Sequence, residues 1–123
     1  MSYWITPATK NRKDIRNIST DKVIEDVCRT YGVTLEEIRT QKRKREYVIP
    51  KQAICYILYI VIGLKQRVVA EKVNTSTCNV IPSYRSMQDA IDTEYETRKT
   101  IEAILERNDV FRYYNKQYGR YQN

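Results

Sequence analysis

Histidine is absent from this chain of 123 residues, which has only three glycines, three prolines, three cysteines, one tryptophan and one phenylalanine. Without histidine there is no imidazole to act as a general base or to complete a zinc set with the cysteines, so neither a metal site nor a cofactor is expected. Cys28, Cys55 and Cys78 lie far apart and form no CxxC pair. Each is expected in a helix as a small core residue, and an odd, scattered set suits a reducing cytoplasm. With glycine only at positions 32, 63 and 119, no GxxxxGK phosphate loop can form. The longest apolar run, AICYILYIVI at 53–62, has ten residues and two tyrosines. That is about half a membrane span, so a buried core helix is expected and membrane insertion is not. The opening residues MSYWITPATKNRKD contain no apolar segment of the signal-peptide kind.

Tyrosine is plentiful, at eleven residues, and so is positive charge: 22 Lys and Arg against 15 Asp and Glu give a formal net charge of +7. The length suits one domain with a real hydrophobic core. Excess positive charge at this size favours an anionic partner, such as nucleic acid or an acidic membrane face; the plainer alternative is a soluble protein that merely happens to be basic. The charge is focused. Residues 1–18 carry four cations and one anion, residues 19–38 two and five, and residues 39–51 six and one. A basic arm, an acidic first helix and a basic knot therefore follow one another. The knot, KRKREYVIPKQ, sets Lys42, Arg43, Lys44 and Arg45 in a row just before the apolar run.

Helical periodicity dominates. Residues 1–18 are polar and aperiodic and read as an arm. In STDKVIEDVCRTYG, Ser19 or Thr20 can cap a helix whose stripe is Val23, Ile24, Val27, Cys28 and Tyr31, ending at Gly32. VTLEEIRTQ restarts with a Thr34/Glu37 capping box and is expected to bury Leu35 and Ile38. The basic knot reads as a loop, with Pro50 in the first turn of a helix over 50–63 that forms the hub of the fold. LKQRVVAEKV predicts a fourth helix burying Leu64, Val68 and Val69. After the polar break NTST, Val80, Tyr84, Met87 and Ile91 recur at helical spacing, with Pro82 inside that helix at its second turn, where it would kink or restart it. Thr93 with Glu96 offers a second capping box before a last helix through YETRKTIEAILERN, and 108–123 is a tyrosine-rich tail. No strand alternation competes. The expected fold is all-α: five to six helices around a central buried one, with the domain over 19–107.

The two helices flanking NTST match a helix-turn-helix, in which the start of the second helix points at base edges. Thr75, Ser76, Thr77 and Asn79, with Ser83 one turn on, are therefore candidate base or phosphate contacts; asparagine can bridge N6 and N7 of adenine. The plainer role for such residues is helix N-capping. The paired carboxylates Glu36/Glu37 and Asp89/Asp92 are best read as solvated charge on exposed helical faces, and no enzymatic activity is expected.

From about residue 19 to 107 the sequence resembles the C-terminal DNA-binding domain of the bacterial replication initiator DnaA. The resemblance rests on YGVTLEEI, then the basic cluster, spacer and Pro-Lys-Gln of KRKREYVIPKQAICYIL, then the helix-turn-helix and a last helix. It implies a minor-groove role for Arg43, a second basic-loop contact at Arg45, a phosphate contact at Lys51 and a neighbouring motif position at Gln52. The family signature that reads the major groove, Gly-Arg-Asp-His-Thr-Thr-Val, falls on NTSTCNV at 74–80 when aligned without a gap from Val80. Only the valine is kept. The resemblance thus implies the family's fold and duplex DNA as partner, but not the family's usual DNA box. With no phosphate loop, the expectation is a stand-alone version of the domain, of the kind found in phages and mobile elements, acting in the cytoplasm on replication or transcription. The alternative is a protein-interaction module that kept the fold and binds a host or replication protein through Trp4 and the tail tyrosines Tyr113, Tyr114, Tyr118 and Tyr121.

Overall fold

The structure is a computed structural model that describes residues 20–40 and 44–108. Trp4, the basic arm, Lys42, Arg43 and the four tail tyrosines lie outside the described residues.

Among the described residues there are six α-helices and no strand. Helix α1, Thr20–Tyr31, buries Val23, Ile24, Val27 and Cys28 as their spacing predicts. It ends where Gly32 turns left-handed at φ 71°. There the Val33 amide donates to the Cys28 carbonyl at 2.9 Å and the Gly32 amide to the Arg29 carbonyl at 3.3 Å, which satisfies two carbonyls that the helix end would otherwise orphan. Helix α2, Leu35–Ile38, has the expected capping box. Thr34 Oγ1 accepts from the Glu37 amide at 3.1 Å, and Glu37 Oε1 accepts from the Thr34 amide at 2.9 Å. Ile38 is buried, whereas Leu35, expected in the core, stands 41% exposed.

Helix α3 departs from the sequence reading at its start and in its winding, while the helical run ends at Gly63 as the reading over 50–63 expects. It starts at Arg45, five residues before Pro50, and runs over Arg45–Cys55 with the proline in its interior. The segment EYVI is therefore helical rather than loop. An interior proline forfeits one backbone bond and crowds the preceding turn. Burial offsets that cost: Pro50 itself is buried and Ile49 packs on the core. The axis then widens into a π-helical stretch, Tyr56–Ile62. Its end is closed by Gly63 at φ 89°, where the Leu58 carbonyl accepts from the amides of both Gly63 and Leu64 at 3.0 and 2.8 Å. Ala53, Ile54, Cys55, Tyr56, Ile57 and Leu58 are all inaccessible to solvent, so this helix is the hub. Tyr56 is fully buried, while Tyr59 lies at the core edge with its ring centre 5.4 Å from that of Tyr84.

Helix α4, Gln66–Val73, buries Val69, Ala70 and Val73; Leu64 and Val68 are only half-buried. A 3-10 turn, Thr77–Asn79, leads into α5, Val80–Thr93. Pro82 is thus the third residue of α5 and in its first turn, where an amide has no partner within the helix. The expected kink therefore has no cause. Helix α6, Tyr95–Arg107, is capped at Glu94. The expected Thr93/Glu96 box does not form: Thr93 closes α5 by donating to the Asp89 carbonyl at 2.8 Å, and Thr97 donates to the Glu94 carboxylate at 2.7 Å. Helices α1, α2, α4 and α5 all pack on α3, and α6 lies across α5 and α1. Cys28 and Cys55 are buried as expected; Cys78 is exposed in the 3-10 turn.

Candidate nucleic-acid interface

Helix α4 ends at Asn74, which takes the left-handed conformation at φ 57°. The Thr75 amide reaches back to the Ala70 carbonyl at 2.9 Å and the Asn74 amide to that of Glu71 at 3.3 Å, the same closure seen after α1. The chain then turns through Thr75 and Ser76 into α5, completing a helix-turn-helix. Gln66, at the start of α4, donates from Nε2 to the Thr77 carbonyl at 2.9 Å and so ties the turn to the first helix of the motif.

The side chains of Ser76, Thr77, Cys78 and Asn79 are exposed and Thr75 is half-exposed. Their plainer role, helix capping, is not realised. Neither Ser76, ahead of the 3-10 turn, nor Asn79, ahead of α5, makes a side-chain cap bond. Instead Asn79 Nδ2 donates to Thr75 Oγ1 at 3.1 Å, and Ser76 Oγ lies 3.5 Å from Cys78 Sγ. The polar groups support one another and face outward. Ser83 behaves differently: it is half-buried and hydrogen-bonded to the Cys55 thiol, so it serves the α3–α5 contact. Burial outweighs that bond and the nearby Lys51 charge, and pushes the Cys55 thiol up to about 11.

On the basic side, Lys44 occupies the N-cap position of α3 and Arg45 is its first residue, and both are exposed. No side chain caps this helix start. The positive end of the helix dipole and two cations therefore coincide, an arrangement that favours a bound anion. Lys44 Nζ sits 6.0 Å from the centre of the Tyr47 ring. Lys51 and Gln52 lie further along α3 and are half-buried.

Sequence reasoning missed the residue that joins the two halves. Arg39 closes α2, and its Nη1 donates to the last carbonyls of α4, Glu71 at 2.7 Å and Lys72 at 2.9 Å. In return Asn74 Nδ2 donates to the Arg39 carbonyl at 2.8 Å. A lone arginine ahead of a run of four cations gives no signal of its own, though an asparagine at a helix end does mark a left-handed turn. Among the described residues no group of three or more acidic, cysteine or histidine side chains could hold a metal ion. No described helix is long and apolar enough to cross a membrane.

Residues 20–86 match the model of the bacterial DnaA protein helix-turn-helix family. The chain is 25% identical over 92 residues to the chromosomal replication initiator protein DnaA of Caldanaerobacter subterraneus subsp. tengcongensis, covering 75% of this chain and 21% of that protein. It is equally similar, over the same shares, to the DnaA proteins of Thermoanaerobacter sp. strain X514 and Thermoanaerobacter pseudethanolicus. The chain thus spans about a fifth of the length of these relatives. No solved structure gives a significant match. With more than half of its residues matched by that model, the chain belongs to the bacterial DnaA helix-turn-helix family.

Proposed function

We propose that this domain binds double-stranded DNA in the setting of replication, reading sequence through the turn and first residues of α5 and gripping the backbone through the basic stretch. One observation carries the reading: at the mouth of the helix-turn-helix, Thr75, Ser76, Thr77 and Asn79 present hydroxyl and amide groups outward without capping a helix. Small polar side chains at the start of a second motif helix can enter a major groove and bond base edges. Lys44 and Arg45, with Lys42 and Arg43 beside them in sequence, supply the charge that draws and holds phosphate. Lys51 and Gln52 are secondary candidates along the same helix. Ser83 is left to packing.

The relatives are initiators by name, and initiation at an origin requires a duplex-binding module, which fits this reading. The test is a duplex titration across salt concentrations. Each phosphate neutralised contributes about 0.9 to the slope of log affinity against log salt. Replacing Lys44 and Arg45 with alanine should weaken binding to any duplex and reduce that slope by about 0.9–1.8. Asn79→Ala should leave the slope unchanged. A wild-type chain without measurable duplex affinity at low salt would favour the protein-interaction alternative instead.

A further inference from the structure

We infer that Arg39 is a positioning residue: with Asn74 it forms a reciprocal clamp that fixes the end of α2, ahead of the basic stretch, relative to the base-reading turn. For its consequence on DNA this rests on the proposed function; the clamp itself is tested without DNA.

The geometry is two-way. The Arg39 guanidinium donates to the Glu71 and Lys72 carbonyls, and the Asn74 amide donates to the Arg39 carbonyl. A cation at the carbonyl end of α4 is favoured by the helix dipole; here it reaches the Lys72 carbonyl and the Glu71 carbonyl, which also accepts from the Asn74 amide. Arg39 stands three residues before Lys42 and five before Lys44; Asn74 directly precedes Thr75. The bonds thus lie where the chain enters the basic stretch and where it enters the reading turn. Gln66 braces the far side of that turn through the Thr77 carbonyl.

The identity of residue 74 fits this role. Asn74 stands at the position of the signature's glycine and keeps the left-handed backbone a glycine would provide, at φ 57°. Asparagine tolerates that conformation and adds an amide, and here the amide holds Arg39. With the signature's arginine, aspartate and histidine replaced by Thr75, Ser76 and Thr77, the short side chains that remain have little reach, so placement of the turn matters more. Arg39 Nη1 is taken up by two carbonyls, which assigns that nitrogen to positioning rather than to a phosphate contact.

The experiment uses Arg39→Met, Asn74→Gly and the double variant. Asn74→Gly keeps the left-handed backbone and removes only the amide. Hydrogen exchange without DNA should show reduced protection at the Thr75, Asn79 and Val80 amides in each single variant, with the Ile57 and Leu58 amides unchanged. Affinity for a duplex selected from a random pool should fall about three- to tenfold in each single variant. Affinity for unselected duplex and the salt slope should stay as in the wild type. The double variant should be little worse than either single, as expected of one shared interaction. Loss of about 0.9 from the salt slope in Arg39→Met would make Arg39 a phosphate contact and overturn the inference. Unchanged exchange at 75–80 in both single variants would overturn it too. Failure of the wild type to bind any duplex would remove the DNA reading instead, and the exchange data would still decide whether the clamp exists.

Discussion

The guanidinium of Arg107 forks onto the carboxylate of Asp26, with Nε 3.0 Å from Oδ2 and Nη2 2.9 Å from Oδ1. The pair joins the last described helix to the first. Asn108 adds a bond to Oδ2 at 2.8 Å, and Thr30 accepts from Arg107 while donating to the Asp26 carbonyl. Asp26 is the buried charged residue among the described ones, and the network leaves its oxygens satisfied.

Burial pushes the Asp26 carboxyl up, but the bonds from Arg107 and Asn108 and the charges of Arg107 and Arg29 together hold it below its usual range. A carboxylate whose folded value is depressed stabilises the fold above its unfolded value, near pH 4, and that contribution is lost as pH falls through the folded value. Thermal unfolding should therefore show stability falling below about pH 4. Asp26→Ala should cost about 1.5–3 kcal/mol at pH 7, the range for bonds to charged groups, because Arg107 is half-exposed and can be rehydrated. In Arg107→Ala the acid-side loss should shrink, since the carboxyl moves back toward its ordinary range. An unaltered acid limb in both variants would disprove the assignment.

The hub gives a second expectation. Ile57 is fully buried in the π-helical stretch of α3. Ile57→Ala should cost about 2–5 kcal/mol through lost burial and a residual cavity. Ile57→Asp should leave the chain unfolded, because the carboxylate would be buried without a partner. Circular dichroism and denaturant titration measure both.

Patterns confined to one helix or one turn were legible in the sequence. The Val23, Ile24, Val27, Cys28 stripe and the Thr34/Glu37 box are set by local spacing, and the structure keeps both. Features set by tertiary contact were not. Pro50 reads as a first-turn residue because its own ring disfavours a preceding turn, yet burial of Pro50 and packing of Ile49 carry α3 back to Arg45. Asp26 lies on the buried face three residues after Val23, a position that asks for a partner, but nothing local points to a residue 81 positions away. Within the candidate site the exposed turn was legible from NTST. The inward rotation of Ser83 and the clamp through Arg39 depend on helix packing that the sequence does not display.

Cysteine reactivity separates the turn from the core. Cys78 is exposed, while Cys28 and Cys55 are buried and both thiols are pushed up chiefly by burial. A maleimide at neutral pH should label Cys78 first and leave the other two until the chain unfolds. Saturating duplex should slow labelling of Cys78 if the turn enters a groove. Equal labelling rates with and without bound duplex would place the DNA elsewhere on the domain.

In the gap-free alignment from Val80 that the resemblance implies, Thr75, Ser76 and Thr77 fall on the signature's arginine, aspartate and histidine. A bidentate arginine–guanine contact is worth about 1–3 kcal/mol of discrimination, and no side chain in the turn can replace it. The family's usual DNA box should therefore be bound no more tightly than a scrambled duplex in a competition titration. A preference of tenfold or so for that box would show that another arginine takes over the reading.

The most direct measurement is selection from a random duplex pool at near-physiological salt, run in parallel with wild type and Asn79→Ala. The expected result is an enriched motif with wild type that loses its base preference at one position in the variant, at a cost of about 1–3 kcal/mol, with the salt dependence of binding unchanged. Recovery of bound duplex without an enriched motif, or of the same motif from both proteins, would contradict base reading by the turn at Thr75, Ser76, Thr77 and Asn79.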